Sequence, residues 1–145
     1  MNIEELGKIT AIKVPGAIFA SANSGTFIEL TNYNQVTFLI ESGEGTAGNT
    51  TVTLEAKVGE DGSATAIPFL YMEKGDNSYT EKETTGVAFA IGGAAGASKY
   101  ALVTVTSPML ASGDYDRVAI KTTAVASSTV TGAIYAIQSQ PRYSE

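Results

Sequence analysis

The sequence predicts an all-β fold: a single-domain antiparallel β-sandwich, jelly-roll-like or immunoglobulin-like, with minimal helix. Three observations predict it. Apolar residues recur with a period near two over most of the chain. Val52, Leu54, Ala56 and Val58 alternate with Thr53, Glu55 and Lys57, as in a strand with one buried face. The alternating segments are rich in Val, Ile, Thr, Phe and Tyr, which suit a pleated, half-buried surface. Clusters of Gly, Asn, Asp and Ser separate them at near-regular spacing, as in sandwiches and barrels. The 145 residues fit one domain, and a domain of this size buries about 70% of its unfolded surface without needing a staple.

In chain order, residues 1–8 are expected to form an N-terminal arm, with one helical turn at Asn2–Leu6, and 9–145 the sandwich domain. Strands are expected at Ile9–Val14, Ala17–Ala20 and, after Ser24-Gly25, at Thr26–Leu30. The turn Asn32-Tyr33-Asn34 opens Gln35–Glu41, and Gly43-Glu44-Gly45 leads toward Thr51–Val58. Gly59–Gly62 and Lys74–Ser78 bracket a strand at Ala66–Tyr71. Gly86–Ile91 precedes the glycine-rich Ile91–Ser98, which reads as a loop because glycine loses the most entropy when ordered. After Ala101–Thr106, Ser107-Pro108 places a capping residue before a proline, the signature of a helical turn. Ser112–Asp114 is a turn, and Arg117–Thr123 and Val130–Ile137 complete the strands.

Hydrophobic residues make up 43% of the chain and charged residues 17%, below the roughly 25% charge of ordinary soluble proteins. Fewer charges suit a surface partly covered by neighbours. The net charge is −6, with no basic run of the kind that tracks phosphates, so no nucleic-acid partner is expected. With no cysteine or histidine, disulfides, thiolate nucleophiles and zinc–thiolate sites are excluded, along with the commonest general base. Glu4 and Glu5 stand where a secretory signal would carry positive charge, and Lys8 and Lys13 break up the apolar residues. No run of about 18 apolar residues occurs, so no membrane span is expected, and synthesis in a cytoplasm is.

Candidate chemistry is sparse. The paired carboxylates are Glu4-Glu5, Glu81/Glu83 and Asp114/Asp116. Glu81 and Glu83 would lie roughly 6–7 Å apart on one strand face, which equally describes a charged edge that blocks unwanted strand pairing. Gly59-Glu60-Asp61-Gly62 and Gly75-Asp76-Asn77-Ser78 are oxygen-rich, yet neither has the spacing of a calcium loop. Asp and Asn in turns more often bond their own backbone. Gly92–Gly96 lacks the following Lys-Ser or Lys-Thr of a phosphate loop. The tyrosines, at 33, 71, 79, 100, 115, 135 and 143, suit core, rim and interface positions. Tyr115 could form a tyrosine corner, but a ring packed at a strand entrance is the simpler reading. The sequence thus assigns no catalytic, cofactor-binding or metal-binding residue, and no enzyme activity is expected.

Three segments carry a family resemblance. Asn32–Ile40 leads into Thr51–Val58 and its Gly-Glu-Asp-Gly turn. Leu102–Val105 and Met109-Leu110 precede Tyr115–Thr122. Ala133–Ile137 and Pro141-Arg142-Tyr143 close the chain. This succession, from about Phe27 onward, resembles small β-rich structural proteins of tailed bacteriophages and prophages, of the kind found among head genes. The resemblance implies a virion component: a capsid decoration or head accessory protein, homo-oligomeric with a trimer favoured, attached to the major capsid protein. The arm at 1–8 would then lie along a neighbour. The alternative is a β-sandwich of a phage tail or fibre that binds a host-surface glycan or protein.

Overall fold

The alternation becomes strand geometry in a computed structural model that describes residues 7–141. The strands are β1 (Gly7–Gly16), β2 (Asn23–Ser24), β3 (Ile28–Glu29), β4 (Tyr33–Ser42), β5 (Gly45–Lys57), β6 (Thr65–Ile67), β7 (Phe69–Glu73), β8 (Thr80–Lys82), β9 (Val87–Gly93), β10 (Lys99–Thr106), β11 (Arg117–Thr122) and β12 (Gly132–Pro141). In β4, Val36, Phe38, Ile40 and Ser42 are buried, and Thr37, Leu39 and Glu41 point the other way. The predicted turn at Ser107–Leu110 is a single helical turn, α1, with Pro108 in its first turn.

All strand pairs are antiparallel, and they form two sheets. The first sheet runs β1-β12-β4-β10-β7-β8. In the second, β11 lies beside β5; β2 and β3 share the far edge of β11, and β6 and β9 share the far edge of β5. β2 and β3 are one strand interrupted by a bulge. Three residues, 25–27, stand opposite two, Ala119 and Ile120. With that pair counted as one strand, the orders β1-β12-β4-β10 and β2/β3-β11-β5-β9 are those of a jelly roll, two interleaved Greek keys. The sequence left open a jelly-roll-like or an immunoglobulin-like sandwich; the strand order is the former. β6, β7 and β8 are an insertion between β5 and β9, and they widen the first sheet by two strands.

Between the sheets lies one apolar core. Phe19, Phe38, Phe69 and Phe89 are its largest fully buried side chains, packed with Val36, Ile40, Leu54, Ile91, Ile120 and Ile134. Fully burying one such side chain contributes about 1.5–3 kcal/mol.

The structure corrects several sequence expectations. Ala17–Ala20 is not a strand: Ile18–Ala20 is a 3₁₀ turn that inserts Phe19 into one end of the core. The Phe19 carbonyl accepts the Val125 N–H at 2.8 Å, so the turn is pinned rather than paired. Of Thr26–Leu30, only Ile28–Glu29 pairs, because the bulge consumes the preceding residues. Ala66–Tyr71 breaks at Pro68, which has no N–H for a ladder, and the chain passes there from the second sheet to the first. β5 starts at Gly45, so only residues 43 and 44 separate it from β4. At the N-terminus, Gly7 and Lys8 already belong to β1. The rest of the expected arm, its turn at Asn2–Leu6 and the pair Glu4-Glu5 lie outside the described residues, as do Arg142 and Tyr143.

Candidate interaction surface

Several of the polar candidates are engaged in local structure. Asp116 accepts the Gly59 N–H at 2.8 Å and so holds the turn after β5 against β11. Asp114 ends a 3₁₀ turn in left-handed backbone, φ 53°. Asp76 closes its own turn: its carboxylate accepts the Glu73 N–H at 2.9 Å, and its N–H donates to the Glu73 carbonyl at 3.0 Å. Lys57 donates to the Glu60 carbonyl across the Gly59–Gly62 turn at 2.6 Å. In the glycine-rich loop, the Gly92 N–H donates to Ser42 Oγ at 3.0 Å and the Gly96 N–H to the Glu44 carboxylate at 2.6 Å. Glu81 and Glu83 are exposed on and just after β8, the outermost strand of the first sheet. Among the described residues, no three acidic side chains gather as a cation site would need.

The tyrosines divide by environment. Tyr33 and Tyr115 pack against the core, and the Tyr115 ring lies over Gly113 at the entrance to β11. Tyr79 and Tyr100 are exposed. Tyr71 is buried, stacked edge-on against Phe69, and donates its hydroxyl to Glu73 at 2.7 Å. Burial raises its pKa well above the ordinary tyrosine value, and the Glu73 hydrogen bond and the negative charges of Glu73 and Asp76 add to the rise. A raised folded-state pKa means that this group's stabilisation is intact below pH ~10 and is lost as pH climbs beyond it. In an alkaline titration followed by phenolate absorbance, one tyrosine is therefore expected to ionise only with unfolding, and Tyr71→Phe to abolish that late phase. A titration in which every tyrosine ionises before unfolding would contradict this.

The feature that ordinary folding does not explain lies on the outer face of the first sheet. The register places Ala11, Tyr135, Leu39, Leu102 and Met72 in one row across five strands. The adjacent row is Ile9, Ile137, Thr37, Thr104 and Leu70. Neither row contains a charged residue. The two threonines satisfy each other, Oγ to Oγ at 2.9 Å, which lowers the polarity of the face further. Ile9, at the β1 edge, is 54% exposed. Charge returns at the margins: Glu41, level with Ala133 and Tyr100, and Lys74, whose N–H donates to the Tyr100 carbonyl at 3.0 Å, at one end, and Glu81, opposite Leu70, at the β8 edge.

The second sheet shows the contrast. Its outward residues include Glu55, Lys57, Arg117 and Lys121. Lys121 pairs with Glu55 at 2.9 Å and Arg117 with Glu29 at 3.5 Å, while the Lys57 ammonium sits 4.4 Å from the centroid of the Phe27 ring. That is an ordinary solvated sheet face. Antiparallel sheets that meet water on one side alternate apolar-in and polar-out. The second sheet obeys this rule and the first does not.

No family model matches the chain. No curated protein matches it either. Among solved structures it is similar to the crystal structure of SPBc2 prophage-derived protein YomS, with 15% of residues identical, 90% of this chain and 92% of that chain covered, and a TM-score of 0.49. The structural neighbour is thus a prophage-derived protein. A likeness at that level carries no inference about role. Among the described residues, no helix is long and apolar enough to cross a membrane.

The apolar face was not singled out from sequence, although a signal was present. Val36–Ile40, Ala101–Val105 and Ala133–Ile137 are almost continuously apolar, lacking the polar alternate positions of Thr51–Lys57. Such runs mark strands covered on both faces. The runs become one surface only when β12, β4 and β10 lie side by side.

Proposed function

We propose that this chain is a structural protein of a bacteriophage or prophage particle: a homo-oligomeric capsid decoration or head accessory protein that stabilises the shell through multivalent non-covalent contact with the major capsid protein. The observation that carries the reading is the uncharged central face of the first sheet's outer side, a surface suited to burial against another protein subunit. The sequence resemblance to phage head proteins supports the same reading. Repeated weak contacts on a symmetric shell add up to firm attachment, because each contact after the first is effectively intramolecular.

The test is to purify particles from an induced host on a density gradient and quantify this chain by mass spectrometry. It is expected to band with the heads in a fixed ratio to the major capsid protein, and particles lacking it are expected to lose their contents at lower temperature. Absence from gradient-purified heads, together with a reproducible hit on a glycan array, would replace this reading with a host-surface binding module.

A further inference from the structure

We infer that the outer face of the first sheet is covered by a second copy of this chain, the two sheets packing face to face about a two-fold axis. This rests on the particle reading above and deepens it by naming the partner for that surface.

Charge is the first argument. At net charge −6, two copies repel over most of their surfaces. They can meet without opposing like charges only where charge is missing, and the rows through Leu39 and Thr37 are such a place. The Glu41 margin fits as well. An axis lying in the interface and crossing the strands sets the Glu41 end of one sheet over the end of the other that carries Gln35, Ser139 and Thr106, which share one level of the ladder. A carboxylate then meets an amide and hydroxyls rather than a second carboxylate.

Size is the second argument. Six strands at sheet spacing measure about 24 Å across, and Gln35 to Glu41 spans about 20 Å along β4. That footprint is about 480 Å² before side-chain relief, more than half of the roughly 800 Å² per partner of a standard stable interface. Face-to-face packing about 10 Å apart is how sheets ordinarily bury an apolar face. The insertion β6–β8 contributes directly, because Leu70 and Met72 belong to β7.

Symmetry is the third. A ring, such as the trimer favoured from sequence, joins one patch to a different patch, whereas a two-fold pair uses one patch twice. Among the described residues, the large exposed apolar side chains apart from Ile9 and Tyr100 are Val14 near the end of β1, Val58 just after β5 and Tyr79 just before β8. They form no second patch for a ring to use, so the pairing is isologous.

The test is sedimentation equilibrium of the full chain. The expected mass is twice that of the 15.0 kDa protomer. Leu39→Lys combined with Leu102→Lys is expected to give a folded monomer by circular dichroism, and Thr53→Lys, on the opposite sheet, to leave the dimer intact. A second readout guards against misfolding of the double variant. Because the chain lacks cysteine, Leu39→Cys introduces a unique thiol, expected to cross-link between copies with a short bifunctional reagent; Thr53→Cys is expected not to. A wild-type chain that stays monomeric at every concentration overturns the inference, as does a dimer that survives the double lysine variant with no Leu39→Cys cross-link. A monomer that still bands with heads removes the pairing and keeps the particle reading. A dimer missing from heads does the opposite.

Discussion

Phe38→Ala is expected to lower unfolding stability by about 3–5 kcal/mol. Phe38 is fully buried, and its strand sits at the centre of the first sheet, where the register sets it beside Val103 on one side and Ala136 on the other. Both neighbours are themselves fully buried. Neither is large, so the vacated space cannot be filled by a flexible side chain swinging in. Backbone adjustment is blocked too, because β4 is laddered on both edges by β12 and β10. The loss is a large share of the roughly 5–15 kcal/mol that holds a typical domain together. Urea unfolding at unchanged m-value measures it directly. A shift below about 1 kcal/mol would mean that the core collapses around the gap, contrary to the packing described.

The second large effect is expected at Gly86, where alanine should cost about 2 kcal/mol or more. Gly86 closes the turn between β8 and β9 with its N–H on the Glu83 carbonyl at 3.0 Å, and its φ is +86°. A side chain there is strained by the backbone alone. It also collides: a Cβ would lie 2.3 Å from the Val52 carbonyl oxygen and 2.6 Å from the Thr53 methyl. Val52 cannot retreat, because it is paired with Thr122 on one edge and Val87 on the other. Gly59 supplies the control. Its φ is +65°, but nothing lies within 4 Å of where its Cβ would be. Gly59→Ala therefore incurs only the conformational part, about 1 kcal/mol, and the difference between the two variants in thermal or urea unfolding isolates the collision. Equal losses would show that the Val52 backbone yields.

Much of this architecture is legible locally. Thr51–Lys57 announces a one-sided strand, Ser107-Pro108 announces a helical turn, and the turn residues at Gly59–Gly62 and Lys74–Ser78 mark true reversals. Local signals fail where a residue's partner is distant. GAIFA has the composition of a strand, but Phe19 is needed as a plug, pinned by Val125 from the other side of the chain. Ala66–Tyr71 looks continuous, but Pro68 cannot donate to a ladder and two sheets claim its two halves. The interaction surface is the clearest case. Leu39, Leu102 and Tyr135 are separated by long stretches of sequence and become neighbours only through pairing of β4 with β10 and β12.

The amino-acid order carries the material of the fold. Period-two alternation makes strands, since successive side chains point to opposite faces whatever the surroundings. The absence of histidine and cysteine limits the chemistry in any conformation. The order of the strands, the jelly-roll path and the apolar outer face that the order creates arise only when distant segments pack together. Alternation tells a strand that it has two faces but carries no information about which distant strand will lie alongside. That choice is made by the collective burial of one core, where Phe19, Phe38, Phe69 and Phe89 must all find cover at once.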